Sequence, residues 1–190
     1  KRQVYLGGVL GGFTGAKLVY LLSEGWLYFG EPGWWISLAT GKTIVGALLG
    51  GYAGIEIAKK AVGYQKATGD WFALVVPIGI AAGRIGCLSA GCCLGVPIED
   101  ESWWALRDVA ETPRWPAPAV ELAFNLLMVA VLLPFQRSSR FPGQLFHLYL
   151  IAYGIFRFSH EFLRATEKPF LGMSGYQIAA IGLIVLGVWR

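Results

Sequence analysis

The sequence predicts an all-α fold: a polytopic helical membrane protein, one integral-membrane domain over residues 1–190 with about six transmembrane helices. Three observations carry that expectation. Hydrophobic residues make up 55% of the chain and charged residues only 15%, against roughly 25% charged in an ordinary soluble domain. The mean hydropathy is +0.54. Glycine, at 26 positions, and tryptophan, at 8, are both abundant, as in membrane helices and at their interfaces. No stretch alternates with period two over the length of a barrel strand, so the spans are helices. The net charge of +4 is scattered along the chain, which argues against a nucleic-acid partner. The 3 cysteines are clustered and odd in number, so they offer no disulfide framework.

A helix that crosses the hydrocarbon core needs about 20 mostly apolar residues. Six segments qualify: 4–22, 43–60, 71–91, 118–136, 143–164 and 173–189. The first follows Lys1 and Arg2 as a signal sequence would. It has no small-residue cleavage site before polar sequence, and so reads as a retained span. It carries Gly7, Gly11 and Gly15 at helical spacing, and Lys17, whose long stem lets the ammonium snorkel. The second carries Gly46, Gly50 and Gly54, with Glu56 placed to pair with Lys59 and Lys60. The third has a looser series, Gly79, Gly83 and Gly86, interrupted by Arg84. Such stripes let helix backbones approach closely in lipid, and packing is the plainer reading for most of these glycines. The fourth opens on Pro118 and carries Glu121, and the fifth contains the run YGIFRFSHEFLR from Tyr153 to Arg164. The sixth is 173–189.

The connections are 23–42, 61–70, 92–117, 137–142 and 165–172. With six spans both termini share a side, and that side collects Lys1, Arg2, Lys59, Lys60, Lys66, Arg137, Arg140 and Arg190. The other collects Glu24, Glu31, Glu99, Asp100, Glu101, Asp108 and Glu111. The excess of lysine and arginine places both termini in the cytoplasm. The loop 92–117 then faces outward, with its tryptophans at headgroup depth.

A charge at the bilayer centre costs roughly 2.5–3.5 kcal/mol on insertion scales and needs a reason. Arg157 and Glu161 are four apart and share a helix face, Arg164 extends the stripe one turn on, and His160 flanks it. One reading is an ion pair that locks the bundle. The other is a polar cavity for an anionic headgroup, which arginine suits because its planar fork bonds phosphate bidentately and stays ionised. Arg84 sits near the outer end of its span, as Arg157 does of its own. Cys87 lies one turn after Arg84, which makes it a candidate nucleophile, although free cysteine also packs as a small hydrophobe. His160 is a candidate base, and His147 is assigned to packing. Cys87, Cys92 and Cys93 lack C-x-x-C spacing and have no histidine close in sequence, so no metal site is expected.

GRIGCLSAGCCLG (83–95), RWPAPAVE (114–121), YGIFRFSHEFLR and LGMSGYQ (171–177) resemble, in order and spacing, the prolipoprotein diacylglyceryl transferases, from about residue 41 onward. These bacterial inner-membrane enzymes move a diacylglyceryl group from phosphatidylglycerol to the lipobox cysteine of a lipoprotein precursor. The resemblance implies that Arg84 engages the phospholipid, that Arg157 is the second essential arginine, and that Glu161 is the glutamate one turn after it. Gly95 matches a signature glycine. Arg114, Pro116 and Glu121 match an Arg-His-Pro-x-Gln-Leu-Tyr-Glu motif, and Gln177 a late glutamine. With Arg164, the residues Arg114, Glu121, Gly95 and Gln177 are the expected substrate-binding set. Arg84, Arg157, Glu161, His160 and Cys87 are the expected catalytic set. No cofactor is expected. The partners are a phospholipid donor, the membrane, and a lipoprotein precursor or another thiol acceptor.

The departures lie on the acceptor side. Cys87, Ser89 or Ala90, and Cys92 stand where the signature has asparagines and a glutamate. Trp115 replaces the histidine of the Arg-His-Pro motif, and Pro118 and Val120 its glutamine and tyrosine. In GKTIVGALLGG, Val45 stands where the family has an important histidine. The sequence therefore predicts a membrane transferase with a phospholipid donor and an altered acceptor site. The alternative is a non-catalytic phospholipid-binding, anion-binding or transport protein that retains the arginines.

Overall fold

A computed structural model describes residues 2–99 and 102–189. Lys1, Asp100, Glu101 and Arg190, used above to orient the chain, lie outside the described residues. The helices are α1 (Arg2–Ser23), α2 (Trp34–Thr40), α3 (Ile44–Val62), α4 (Gly69–Ser89), α5 (Ala117–Arg137), α6 (Leu145–His160) and α7 (Gly175–Trp189). Each of the six apolar segments is helical, and no boundary moves by more than four residues. Among the described residues, α1, α4 and α5 are long and apolar enough to cross a membrane, and α7 is a shorter apolar helix. Two connections hold more order than expected. One contains α2. The other contains a two-stranded antiparallel hairpin, β1 (Leu106–Arg107) and β2 (Pro113–Arg114).

The chain divides into two compact units. Among the described residues, the first comprises residues 2–66, Leu150–Phe158 and Glu167–Trp189, and the second Ala67–Tyr149 and Ser159–Thr166. The frame of the first unit is α1 against α3. The two glycine stripes meet: a Cβ on Gly7 would lie 2.7 Å from the Gly54 carbonyl oxygen, and one on Gly15 2.7 Å from the Gly50 Cα. This is the close backbone contact that small residues permit where lipid offers no hydrophobic drive between helices. Glu56 and Lys59 pair at 2.9 Å, as their spacing predicts. Lys17 differs from expectation. Its Nζ donates to the Gly41 carbonyl at 3.2 Å and lies 5.7 Å from the centre of the Tyr20 ring, so it ties the end of α2 to α1. Gly154 of α6 packs on α7, where a Cβ would lie 2.7 Å from Ile184. The start of α7 is a capping box. Ser174 Oγ accepts the Gln177 N–H at 3.2 Å, and Gln177 Oε1 accepts the Ser174 N–H at 2.8 Å.

In the second unit α4 packs against α5. Asp70, in the first turn of α4, accepts the N–H of Gly143 at 2.7 Å and of Leu145 at 3.3 Å, and so caps the start of α6. The third glycine series does not pack as expected: a Cβ on Gly79, Gly83 or Gly86 would meet nothing within 4 Å. The loop after α4 is woven into short pairings. The Gly95 N–H donates to the Trp115 carbonyl at 2.9 Å, and the Val96 N–H to the Leu163 carbonyl at 3.0 Å. Gly95 is required by this weave, since a Cβ there would lie against the Leu163 carbonyl and 2.8 Å from the Trp115 Cβ.

Candidate active site

The second unit gathers a buried set of charges. Arg84, in the last two turns of α4, is 9% exposed, and its Nη2 lies 2.8 Å from Oε2 of Glu121 in the second turn of α5. Glu121 is fully buried. The two helices pack side by side, which brings a glutamate and an arginine 37 positions apart into one ion pair. Arg164 completes the group, with Nη1 4.0 Å from Glu121 Oε2 and Nε 3.8 Å from Glu161 Oε2. Thr166 Oγ1 donates to Glu161 Oε1 at 2.5 Å. The floor is polar as well: Asn125 Nδ2 donates to the Glu121 carbonyl, and the Tyr149 hydroxyl to Asn125 Oδ1, each at 2.8 Å.

One expectation about this segment is corrected. Arg164 does not continue a helical stripe from Arg157. The α-helix stops at His160 and tightens into a 3₁₀ turn over Glu161–Leu163. Arg164 follows in extended conformation, φ −97° and ψ 146°, and bridges to Gly95. Its side chain reaches Glu121 because the chain has left the helix.

His160 is 5% exposed, and its Nε2 accepts the Trp115 indole N–H at 3.0 Å. An indole nitrogen only donates, so this imidazole nitrogen carries a lone pair committed to Trp115. A base acting through Nε2 would have to release the tryptophan. Cys87 lies beside Arg84, with Nη1 3.5 Å from Sγ, and the turn after α4 brings Cys92 and Cys93 to it. Desolvation, helped by a hydrogen bond with Cys93, pushes the Cys92 thiol up to about 11.

Arg114 stands apart in the hairpin, where its Nε is 2.8 Å from Asp108 Oδ2. Burial acts to raise the Asp108 carboxyl. The backbone N–H of Thr112, the Arg114 guanidinium and the backbone N–H of Ala110 outweigh it and hold the group below its ordinary value. A depressed folded-state value contributes stability that is present above the unfolded value, about 3.9, and is lost as pH falls through the folded one. The thermal midpoints of the parent and Asp108→Asn are therefore expected to differ at pH 7 and to converge in acid, which a pH series of melting curves in detergent checks.

Arg157 and Gln177 belong to the first unit. Arg157 is 5% exposed and its guanidinium carbon sits 5.8 Å from the centre of the Tyr176 ring. The Tyr176 hydroxyl donates to Glu24 Oε2, and Tyr28 to Glu24 Oε1, each at 2.7 Å. The bond to Glu24, with burial, pushes the Tyr28 phenol up to about 12. Gln177 is fully buried. Beyond its capping role it donates from Nε2 to the Phe158 carbonyl at 3.3 Å. Val45 is fully buried at the start of α3. Sequence reasoning missed Glu24, Tyr176, Asn125, Tyr149 and Thr166 as members of these networks. Only the Ser-x-x-Gln capping pattern at 174–177 was visible as a local signal.

Apolar helices that bury an arginine–glutamate pair near their ends define a class: a helical membrane protein with paired charges held inside the fold. Comparison narrows the class. The family model described as prolipoprotein diacylglyceryl transferase matches residues 2–190, and the chain belongs to that family. A phosphatidylglycerol–prolipoprotein diacylglyceryl transferase from Clostridium tetani is 30% identical over 96% of this chain and 76% of its own length. The protein of that name from Idiomarina loihiensis is 32% identical over 97% of this chain and 71% of its own length. The one from Neisseria meningitidis serogroup A is 31% identical over 96% and 74%.

Proposed function

We propose that this chain is a membrane transferase that moves a diacylglyceryl group from phosphatidylglycerol to the cysteine thiol of a prolipoprotein, as the names of its relatives state for them. The observation that carries the reading is the burial of Arg84 in an ion pair with a fully buried Glu121, within a chain of this family. A guanidinium sunk at the end of an apolar helix is costly, and Glu121 both offsets the charge and fixes the direction of the fork. Arg84 then holds the donor's phosphate and stabilises the charge that develops there as glycerol phosphate leaves. Arg164, set between Glu121 and Glu161, positions both carboxylates. The family resemblance gives Arg157 the second essential role in the same chemistry, and the Tyr176 ring holds its guanidinium. Gly95 acts through the backbone by keeping the loop after α4 against Leu163 and Trp115. Arg114, held in the hairpin by its pair with Asp108, is assigned to substrate binding by the family motif it matches.

This reading treats residues 1–190 as one integral-membrane helical domain that crosses a bacterial inner membrane six times, with both termini cytoplasmic. The test is turnover in proteoliposomes that contain labelled phosphatidylglycerol and a prolipoprotein. Arg84→Ala and Arg157→Ala are each expected to lower turnover by about 100-fold or more. Arg84→Lys restores little, because a point charge cannot replace the fork. Turnover by Arg84→Ala at the parent rate would refute the role of the guanidinium.

A further inference from the structure

The sequence spacing of the cysteines argues against a metal site, yet the fold brings all three sulfurs together. Helix α4 ends in a Schellman turn: the Gly91 N–H donates to the Leu88 carbonyl at 3.3 Å and the Cys92 N–H to the Cys87 carbonyl at 3.1 Å. Gly91 supplies the left-handed residue with φ +62°, and that turn folds Cys92 back over Cys87. Cys93 adopts φ +62° as well. A non-glycine residue is strained there and persists only where its surroundings hold it. The strained position places its sulfur 3.7 Å from that of Cys92. All three sulfurs lie within 4.8 Å of one another.

We propose that Cys87, Cys92 and Cys93 form a three-thiolate site for a soft divalent cation of the zinc class, with a fourth position open to an external thiol. Tetrahedral zinc with bonds of about 2.3 Å sets its sulfurs about 3.8 Å apart, close to the Cys92–Cys93 separation. Three sulfurs without a carboxylate or imidazole select a thiophilic cation over calcium or magnesium. Three thiolates on a divalent cation leave a net charge of −1, and Nη1 of Arg84, 3.5 Å from Cys87 Sγ, donates toward that sulfur. Cys87 is half-buried while Cys92 and Cys93 are exposed, so one side of the site is anchored and the other is accessible.

An open position on zinc binds an external thiol and deprotonates it outright. Resting on the transfer reading above, that thiol is the acceptor's, and the site does the work of the base lost at Val45. The acceptor S–H gives its proton to water as it binds. The metal-held thiolate attacks the glycerol carbon, an S–C bond forms, the C–O bond to phosphate breaks, and glycerol phosphate leaves with the electron pair.

The test uses the full chain in detergent, loaded with cadmium for thiol protection and with cobalt(II) as a visible reporter. One metal per chain is expected, with all three thiols shielded from maleimide until a chelator is added. Cys87→Ser, Cys92→Ser and Cys93→Ser should each weaken binding by more than the roughly 10–100-fold that loss of a supporting hydrogen bond costs a metal site. A single-cysteine lipobox peptide should shift the cobalt spectrum, and its serine counterpart should not. Equal maleimide reactivity with and without cadmium in the parent chain overturns the site, whatever the variants do. A cobalt spectrum indifferent to the cysteine peptide overturns the open thiol position. A metal-binding chain that turns over no phosphatidylglycerol would instead sink the transfer reading and leave the site standing.

Discussion

Glu121→Ala is expected to abolish phosphatidylglycerol turnover and to lower stability by about 3–5 kcal/mol, the cost of stripping a partner from a buried ion pair. Two guanidiniums depend on this carboxylate, since Arg84 meets it at 2.8 Å and Arg164 at 4.0 Å. Neither arginine can neutralise itself by deprotonation, because guanidinium stays ionised in proteins. With the glutamate side chain gone, Arg84 loses its 2.8 Å carboxylate and Arg164 keeps Glu161, while the bonds of Asn125 to the Glu121 carbonyl and of Tyr149 to Asn125 are untouched. Glu121→Gln keeps the shape and an acceptor oxygen, so it should lose less stability than alanine while turnover still falls. The decisive comparison is Arg84→Met with Glu121→Leu. Removing both charges should recover most of the stability but none of the activity, because apolar residues of similar volume often replace a buried pair at no cost. Thermal midpoints in detergent and turnover in liposomes provide the two readouts. A double variant as unstable as Glu121→Ala would show that the pair does not act as a unit.

Gly50→Leu is expected to separate α1 from α3 and to prevent a stable first unit. A Cβ at Gly50 would fall against the Gly11 carbonyl oxygen and 2.7 Å from the Gly15 Cα, and both obstacles are backbone. Neither can swing aside as a side chain would. A single added methyl, Gly50→Ala, should therefore cost about 1–3 kcal/mol as an overpacked contact, and the longer side chain more. Gly83→Ala is the control on α4, where an added Cβ meets nothing within 4 Å. It should be neutral, or stabilise by roughly 0.5–1 kcal/mol, because alanine restricts the unfolded chain more than glycine does. Melting temperatures of the three variants in one detergent decide the matter. Equal losses at Gly50 and Gly83 would refute the packing assignment.

The helices were legible because their cause is local. Apolar runs such as 43–60 and 118–136 form helices wherever backbone polar groups must satisfy themselves, and their observed limits, Ile44–Val62 and Ala117–Arg137, depart by only one or two residues. The glycine stripes of α1 and α3 were legible as stripes for the same reason. Their mutual contact, and the open flank of Gly79, Gly83 and Gly86, were not, since a period of small residues does not say which helix it faces.

Composition, hydropathy and the family motifs by themselves determined the class of protein and the helical segments, and they singled out the arginines and glutamates set within or beside those segments. Only the tertiary structure decided their partners. Arg84 took Glu121, Arg164 left its helix to lie between two carboxylates, and Trp115 claimed the imidazole of His160 from 45 positions away. A sequence records how costly a buried charge is, because that depends on the residue and its apolar neighbours. Which opposite charge offsets it depends on distances across packed elements, and these exist only once the chain has folded.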